Sequence, residues 1–335
     1  MSSSSAPSEE CATTLQYVPF QLCLVFHCSA VIASFYATFY FLERHIQHSP
    51  IHRNFKFLLL IHFARSWIHG FIFILTAISF FARVFTFRGR AEDSFMNPIY
   101  YKYLHLIYAV TLMADVSIKI LLVLERALAT SHVDYYETEN SRKARWFFMF
   151  LLVAFPCSVI YVAYQNANFE APVCFALFSP TGAEYRVNLL FLSSTVFAIC
   201  ALVALRVLIV VNQRKLKLQH SCLSTRYQIS ENLACAHLVS TVLITGLSVT
   251  ISYALSMTVL RLARFQVFLD NRPLYSTVKL LIYPLTVADL LIPIYSGSQM
   301  KKTKTARTVS LRQVLHTSRQ QTTDAYESQL RAQWA

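Results

Sequence analysis

Five charged side chains stand where charge is expensive. Arg65, Asp115, Lys119, Lys279 and Asp289 each lie inside a long apolar run. An ion held away from water is costly, so such groups pair with one another and mark functional positions. Asp115 and Lys119 are four residues apart and share one face of a helix. Arg65 lies about eight residues from one end of its run and Asp289 about seven from the corresponding end of its own, roughly 12 and 10 Å at the helical rise. The depths match, and Lys119 is at a similar depth, so Asp289 has two candidate partners. His62, Arg65 and His69 share a face of their run. Lys279 sits about one turn from the opposite surface, where it either snorkels to water or turns inward. Such a set can pair ions and anchor a small polar ligand. Catalysis is not expected: there is no H-E-x-x-H, and the two aspartates lack a protease-like context. The eight cysteines contain no C-x-x-C pair, so neither a metal nor a cofactor is expected.

Two further polar groups stand at the ends of runs. Glu125-Arg126 closes the third. The decamer Leu223-Ser224-Thr225-Arg226-Tyr227-Gln228-Ile229-Ser230-Glu231-Asn232 precedes the sixth, and Thr225 with Gln228 fits a capping box that would start that helix. Glu231 then lies about two turns in, near the level of Arg126. Glu231 and the adjacent Glu125 compete for Arg126. Alternatively Arg126 only snorkels and Glu231 only supports the helix N-terminus.

The elements that position these groups follow from composition. Of 335 residues, 55% are hydrophobic and 14% charged, against about a quarter charged in an ordinary soluble domain. So few charges cannot cover a water-facing surface of this length. Disorder is excluded by the abundance of large apolar residues. The 5 glycines argue against glycine-rich nucleotide loops. What remains is a polytopic membrane protein. Four uncharged windows (Cys11–Leu42, Trp146–Phe169, Val187–Leu205 and Asn232–Leu260) and three charged ones give seven spans of the length a bilayer needs. The runs are continuous, which points to helices and not to a barrel. The first is read as a retained span and not a cleaved leader, since an acidic polar tail precedes it.

Lys and Arg set the orientation. The net charge of +13 is uneven: eighteen basic residues fall on the side holding Arg53, Arg126, Arg214 and the C-terminal tail, and eight on the other. The richer side is expected to be cytoplasmic, and the charge is read as a topology signal and not as a nucleic-acid surface. The predicted organisation is an all-α seven-helix membrane bundle, N-terminus outside. It has an extracellular tail at 1–17, a bundle at 18–295 and a cytoplasmic basic tail at 296–335. The spans are placed at about 18–42, 57–82, 103–126, 146–165, 187–211, 232–256 and 275–295. Pro156, Pro284 and Pro293 lie in or near spans and can kink them. In the tail, residues from Met300 to His316 either form a short helix on anionic inner-leaflet lipid or stay irregular. Ser310, after Arg307-Thr308-Val309, is a candidate phosphorylation site that would weaken lipid attraction.

The decamer is far more specific than a cap requires. It resembles the L-S-x-R-Y-Q-x-x-E-N signature of the nematode chemosensory serpentine receptors of the alpha-type superfamily (classes alpha, alpha-beta, beta and epsilon). The E-R-x-x-A-T run at Glu125–Thr130 and the H-x-N-x-K run at His52–Lys56 are similar to the same group, and the span spacing agrees along nearly the whole chain. The resemblance favours class alpha or alpha-beta. It implies a chemosensory G-protein-coupled receptor in the plasma membrane of sensory cilia. A small ligand would sit in an outward-opening pocket between helices three, five, six and seven, anchored by Asp115 and Lys279. Glu125, Arg126, Arg226, Tyr227, Glu231 and Asn232 would form the switch facing a heterotrimeric G protein. Receptors of this kind often tie the second outer loop to the top of helix three. Cys174 lies in that loop, but no cysteine lies near Tyr103. Cys11 is the other cysteine expected outside the bilayer, so Cys11–Cys174 is the candidate bridge, with two unpaired thiols as the alternative. The competing class is a seven-helix channel or transporter. The odd span count, the lack of internal repeats and the position of Glu125-Arg126 count against it.

Overall fold

The structure is a computed structural model. It describes residues 7–47, 49, 51–90, 94–132, 141–180, 182–218, 223–268 and 271–305. Ser310 and the rest of 306–335 lie outside the described residues. The chain is helical, with no strand among the described residues. The elements are α1 (Pro7–Gln16), α2 (Val18–Phe41, continued by a wider π turn at Leu42–Gln47), α3 (Arg53–Thr86), α4 (Pro98–Ser131), α5 (Ser141–Tyr164), α6 (Glu184–Leu218), α7 (Leu223–Val267), α8 (Arg272–Leu281) and α9 (285–305). Helices α2 to α7, with α8 and α9 together as the seventh, are long and apolar enough to cross a membrane. Their outward faces carry large apolar side chains such as Ile68, Phe71, Val196, Val203 and Val207 in the open. A water-soluble monomer does not expose apolar surface on that scale.

Local chemistry explains the helix ends. Asn97 Oδ1 accepts Ile99 N at 3.0 Å and Tyr100 N at 3.3 Å, with Pro98 at the first helical position, so α4 starts there. Asn271 Oδ1 caps α8 through Leu274 N at 3.0 Å. α7 already includes Leu223, which puts Thr225 inside its first turn and not at an N-cap. Gly70 allows α2 and α3 to close on each other: a Cβ there would sit 2.8 Å from Val31 and Phe35 side-chain atoms.

The sequence predicts one continuous seventh span, and the chain instead breaks it. Pro284 has no N–H, so the Leu280 carbonyl loses its helical partner. Tyr283 N takes that carbonyl at 2.9 Å, and His27 of α2 adds a second donor. Nε2 donates to Leu280 O at 2.9 Å, and Nδ1 accepts from Thr286 Oγ1 at 2.6 Å on the far side of the break. One buried imidazole thus bridges α8 and α9. Pro293, by contrast, is accommodated within α9.

Among the described residues the two larger of three apolar clusters stack along the bundle, the third lying between α4 and α5 around Met113 and Ile160. One, at the Arg126 end, gathers Phe41, Phe55, Phe63, Leu122, Leu205, Val239 and Ile292. The other, at the Cys174 end, gathers Leu15, Phe20, Phe73, Phe80, Tyr101 and Phe175. On α3, Arg65 to His69 fall between the two, and on α4 Asp115 does.

The N-terminal segment expected as a plain tail forms α1 and packs on the bundle, with Cys11, Thr14 and Leu15 buried. Cys11 is bonded to Cys174. The segment around Cys174 dips inward. Phe175 and Ala176 are fully buried, and Phe175 meets Phe20 and Phe80 edge-on. Arg83 donates to Cys174 O at 3.0 Å and to Ser94 O at 2.9 Å, and His105 Nδ1 donates to Ala176 O at 2.7 Å. α1 and this segment together cover the Cys174 end of the bundle.

Candidate functional site

The charges placed in separate runs by sequence meet in one layer. Arg65 Nη2 donates to Asp289 Oδ1 at 2.7 Å and lies 3.0 Å from Asp115 Oδ1. Lys119 Nζ donates to Asp115 Oδ2 at 2.5 Å. Asp289 therefore takes Arg65, and Lys119 takes its own helix neighbour. His69 Nδ1 donates to Asp289 Oδ2 at 3.0 Å while its Nε2 accepts from Tyr283 OH at 2.9 Å. Through Tyr283 the layer reaches the α8–α9 break. His62 sits 3.6 Å from Asp115 Oδ1. All but Asp115 and Tyr283 of these groups are nine-tenths or more buried, a depth at which breaking a pair costs far more than at a surface. Among the described residues no three His, Cys, Asp or Glu side chains converge as metal ligands.

A cavity adjoins this layer between α4, α6, α7 and α9. Asp115, Lys119, Ser194 and Thr250 are its polar lining, and Leu112, Val116, Phe191, Leu247 and Leu285 are part of its apolar wall. It holds about 50 Å³ of space for water-sized occupants. These are the third, fifth, sixth and seventh spans. Lys279 does not line it. Its ammonium stands over the Phe178 ring at 4.5 Å, up in the covered end, because α8 stops before the break and carries Lys279 away from the cavity. Of the expected pair, Asp115 lines the cavity and Lys279 does not, and Lys119 is the cation on its wall. Tyr253 reaches the wall indirectly, ring to ring with Phe191 at 5.5 Å.

The Arg126 end is built differently from the sequence expectation. Arg126 Nε donates to Glu125 Oε2 at 2.5 Å, and Nη2 donates to Glu125 Oε1. The partner across the bundle is Asn232, whose Oδ1 accepts Nη1 at 3.2 Å while its Nδ2 donates to Ala129 O at 2.9 Å. Glu231 instead accepts the backbone N–H of His52 at 3.0 Å, tying α7 to the start of α3. The expected Arg126–Glu231 pair gives way because adjacent helix residues point about 100° apart, and Asn232 is the one turned to α4. The arginine is also dry: Glu125 and Arg126 are each 1% exposed, and the guanidinium stacks on Phe55 at 4.7 Å. Three contacts on Thr130 extend the knot. Its hydroxyl donates to Arg126 O at 2.8 Å and accepts Asn212 Nδ2 at 2.9 Å, and its carbonyl accepts Lys215 Nζ at 2.8 Å. Tyr227 is exposed at the same end, and Arg226 lies in the first turns of α7.

With this geometry in hand, comparison with known proteins identifies the family. The profile described as "Serpentine type 7TM GPCR receptor class ab chemoreceptor" matches residues 8–335. The chain belongs to that family. It is also 29% identical over 329 residues to serpentine receptor class beta-16 of Caenorhabditis elegans, covering 97% of this chain and 96% of that one. The receptor is a multi-pass membrane protein of a chemoreceptor family.

Several residues that organise the receptor were absent from the sequence-based site: His27, His105, Tyr283, Asn212, Thr130 and Phe55. All but Phe55 share one signal, a hydrogen-bonding group in or at the end of an apolar run, which lipid disfavours unless it meets a partner. Phe55 carries no such signal, because only packing shows which ring an arginine will meet.

Proposed function

We propose that this receptor, of class alpha-beta, binds a small molecule in the α4–α6–α7–α9 cavity and activates a heterotrimeric G protein at the Arg126 end. Arg126 faces the cytoplasm by the Lys and Arg excess at that end. The observation that carries the reading is shared scaffolding. Lys119 in the cavity and Arg126 in the knot stand seven residues apart on α4, about 10 Å along the axis, and α6 and α7 contribute to both. A ligand that repositions α6 or α7 at the cavity changes the contacts of Asn212, Lys215 and Asn232 below. Ligand binding then shifts a closed-to-open population by its differential affinity for the two states. No catalysis is involved, and the site of action is the plasma membrane of sensory cilia.

Expression in a heterologous cell with a panel of volatile and water-soluble compounds, read by second messenger, tests ligand and coupling together. A response abolished by Arg126→Ala at normal surface level supports the reading. A ligand-gated current that survives G-protein blockade overturns it in favour of a channel.

A further inference from the structure

The charge balance around the cavity selects the chemistry of the ligand, given that the cavity is the ligand site. Two cations, Arg65 and Lys119, face two carboxylates, Asp115 and Asp289, so these four charges balance. Only Asp115 and Lys119 of the four line the cavity. Asp115 is ion-paired through both oxygens, with Lys119 at 2.5 Å and Arg65 at 3.0 Å, and its Oδ1, which receives no hydrogen bond among the described residues, is buried away from the cavity. It has no spare charge for an ammonium ligand.

Lys119 is in the opposite position. Its ammonium has three N–H donors, and among the described residues Asp115 Oδ2 is the acceptor within its reach. Gly246 holds that ammonium at the cavity wall: a Cβ on residue 246 would lie 2.5 Å from Nζ. The nearby Thr250 hydroxyl spends its proton on Gly246 O at 2.9 Å. The cavity therefore offers donor capacity at Lys119 inside a neutral, apolar surround. A carboxylate would bring an unbalanced negative charge into that layer and compete with Asp115. An amine would bring an unbalanced positive charge. Either costs more than a neutral group there.

We propose that the receptor's ligands are small neutral oxygen acceptors, such as ketones, aldehydes, esters or ethers. Their oxygen accepts a hydrogen bond from Lys119 Nζ, and their hydrocarbon body lies against Leu112, Phe191, Leu247 and Leu285.

The test uses the full chain in lipid nanodiscs and thermal stabilisation as the binding readout, which involves no G protein. The probes are methyl ketones from butanone to octanone with the carboxylates, amines and alkanes of matched length. At least one ketone is expected to stabilise the receptor, and to bind about tenfold or more tightly than its alkane, the effect of one hydrogen bond to a charged donor. Lys119→Met removes that advantage. Gly246→Ala, which displaces the ammonium without changing charge, weakens it and serves if Lys119→Met fails to fold. Stabilisation by hexanoate or hexylamine equal to or above the ketone overturns the proposal. So does ketone binding unchanged in Lys119→Met and Gly246→Ala, or no ketone binding at any length. Ketone binding that depends on Lys119 without nucleotide exchange supports the ligand class and overturns the coupling alone. Nucleotide exchange driven by a charged probe does the reverse.

Discussion

Asn232→Ala tests the knot at the Arg126 end. The side chain makes two bonds that join α7 to α4, accepting Arg126 Nη1 at 3.2 Å and donating to Ala129 O at 2.9 Å. A hydrogen bond to a charged group contributes about 1.5–3 kcal/mol and a neutral one about 0.5–1.5 kcal/mol. The arginine bond is long, so the pair together contributes about 2–3 kcal/mol to the closed arrangement, taken from the lower part of those ranges. If opening parts α4 from α7, both bonds are lost, and their removal raises the open-to-closed ratio roughly thirty- to a hundred-and-fifty-fold. The assay is ligand-free nucleotide exchange on the G protein, in membranes matched for receptor density. Glu231→Gln is the companion variant. Its amide oxygen still accepts His52 N, so basal exchange is expected to stay at the wild-type level. Basal exchange within twofold of wild type in a stable Asn232→Ala receptor would refute the knot as a lock. A rise in Glu231→Gln with none in Asn232→Ala would restore the carboxylate as the partner that matters.

Three further outcomes are expected. Arg65→Met leaves Asp115 and Asp289 without their shared guanidinium and should cost about 3–5 kcal/mol in unfolding free energy. Adding Asp289→Asn should recover part of it, as measured by thermal unfolding in detergent. Cys174→Ser opens a bridge that spans 163 residues and should remove stability of up to about 5 kcal/mol by loop entropy. Its readout is a lower surface level and faster proteolysis near α1. His27→Leu removes the two bonds that join α2 to both sides of the Pro284 break, leaving Leu280 O with Tyr283 N, and should cost about 1–3 kcal/mol, visible as faster amide exchange in α8.

Much of the architecture is legible in the chain because a bilayer permits so few solutions. A run of apolar residues as long as Asn232–Leu260 has to be a helix, and the Lys and Arg bias orients the set. The similar depths of Arg65 and Asp289 also follow from the helical rise alone. Rotation about each helix axis does not. Glu231 and Asn232 are neighbours with comparable polar reach, and packing of α7 on α4 turned Asn232 to the arginine and Glu231 to His52. The same is true of Lys119 and Lys279, which composition treats alike. The Pro284 break left one over Phe178 and the other in the cavity wall beside Gly246. Seven helices and their buried charges are therefore properties of the sequence. Which charge meets which, and which of them a ligand can touch, depends on helix rotation and depth, and these arise when all seven helices pack at once.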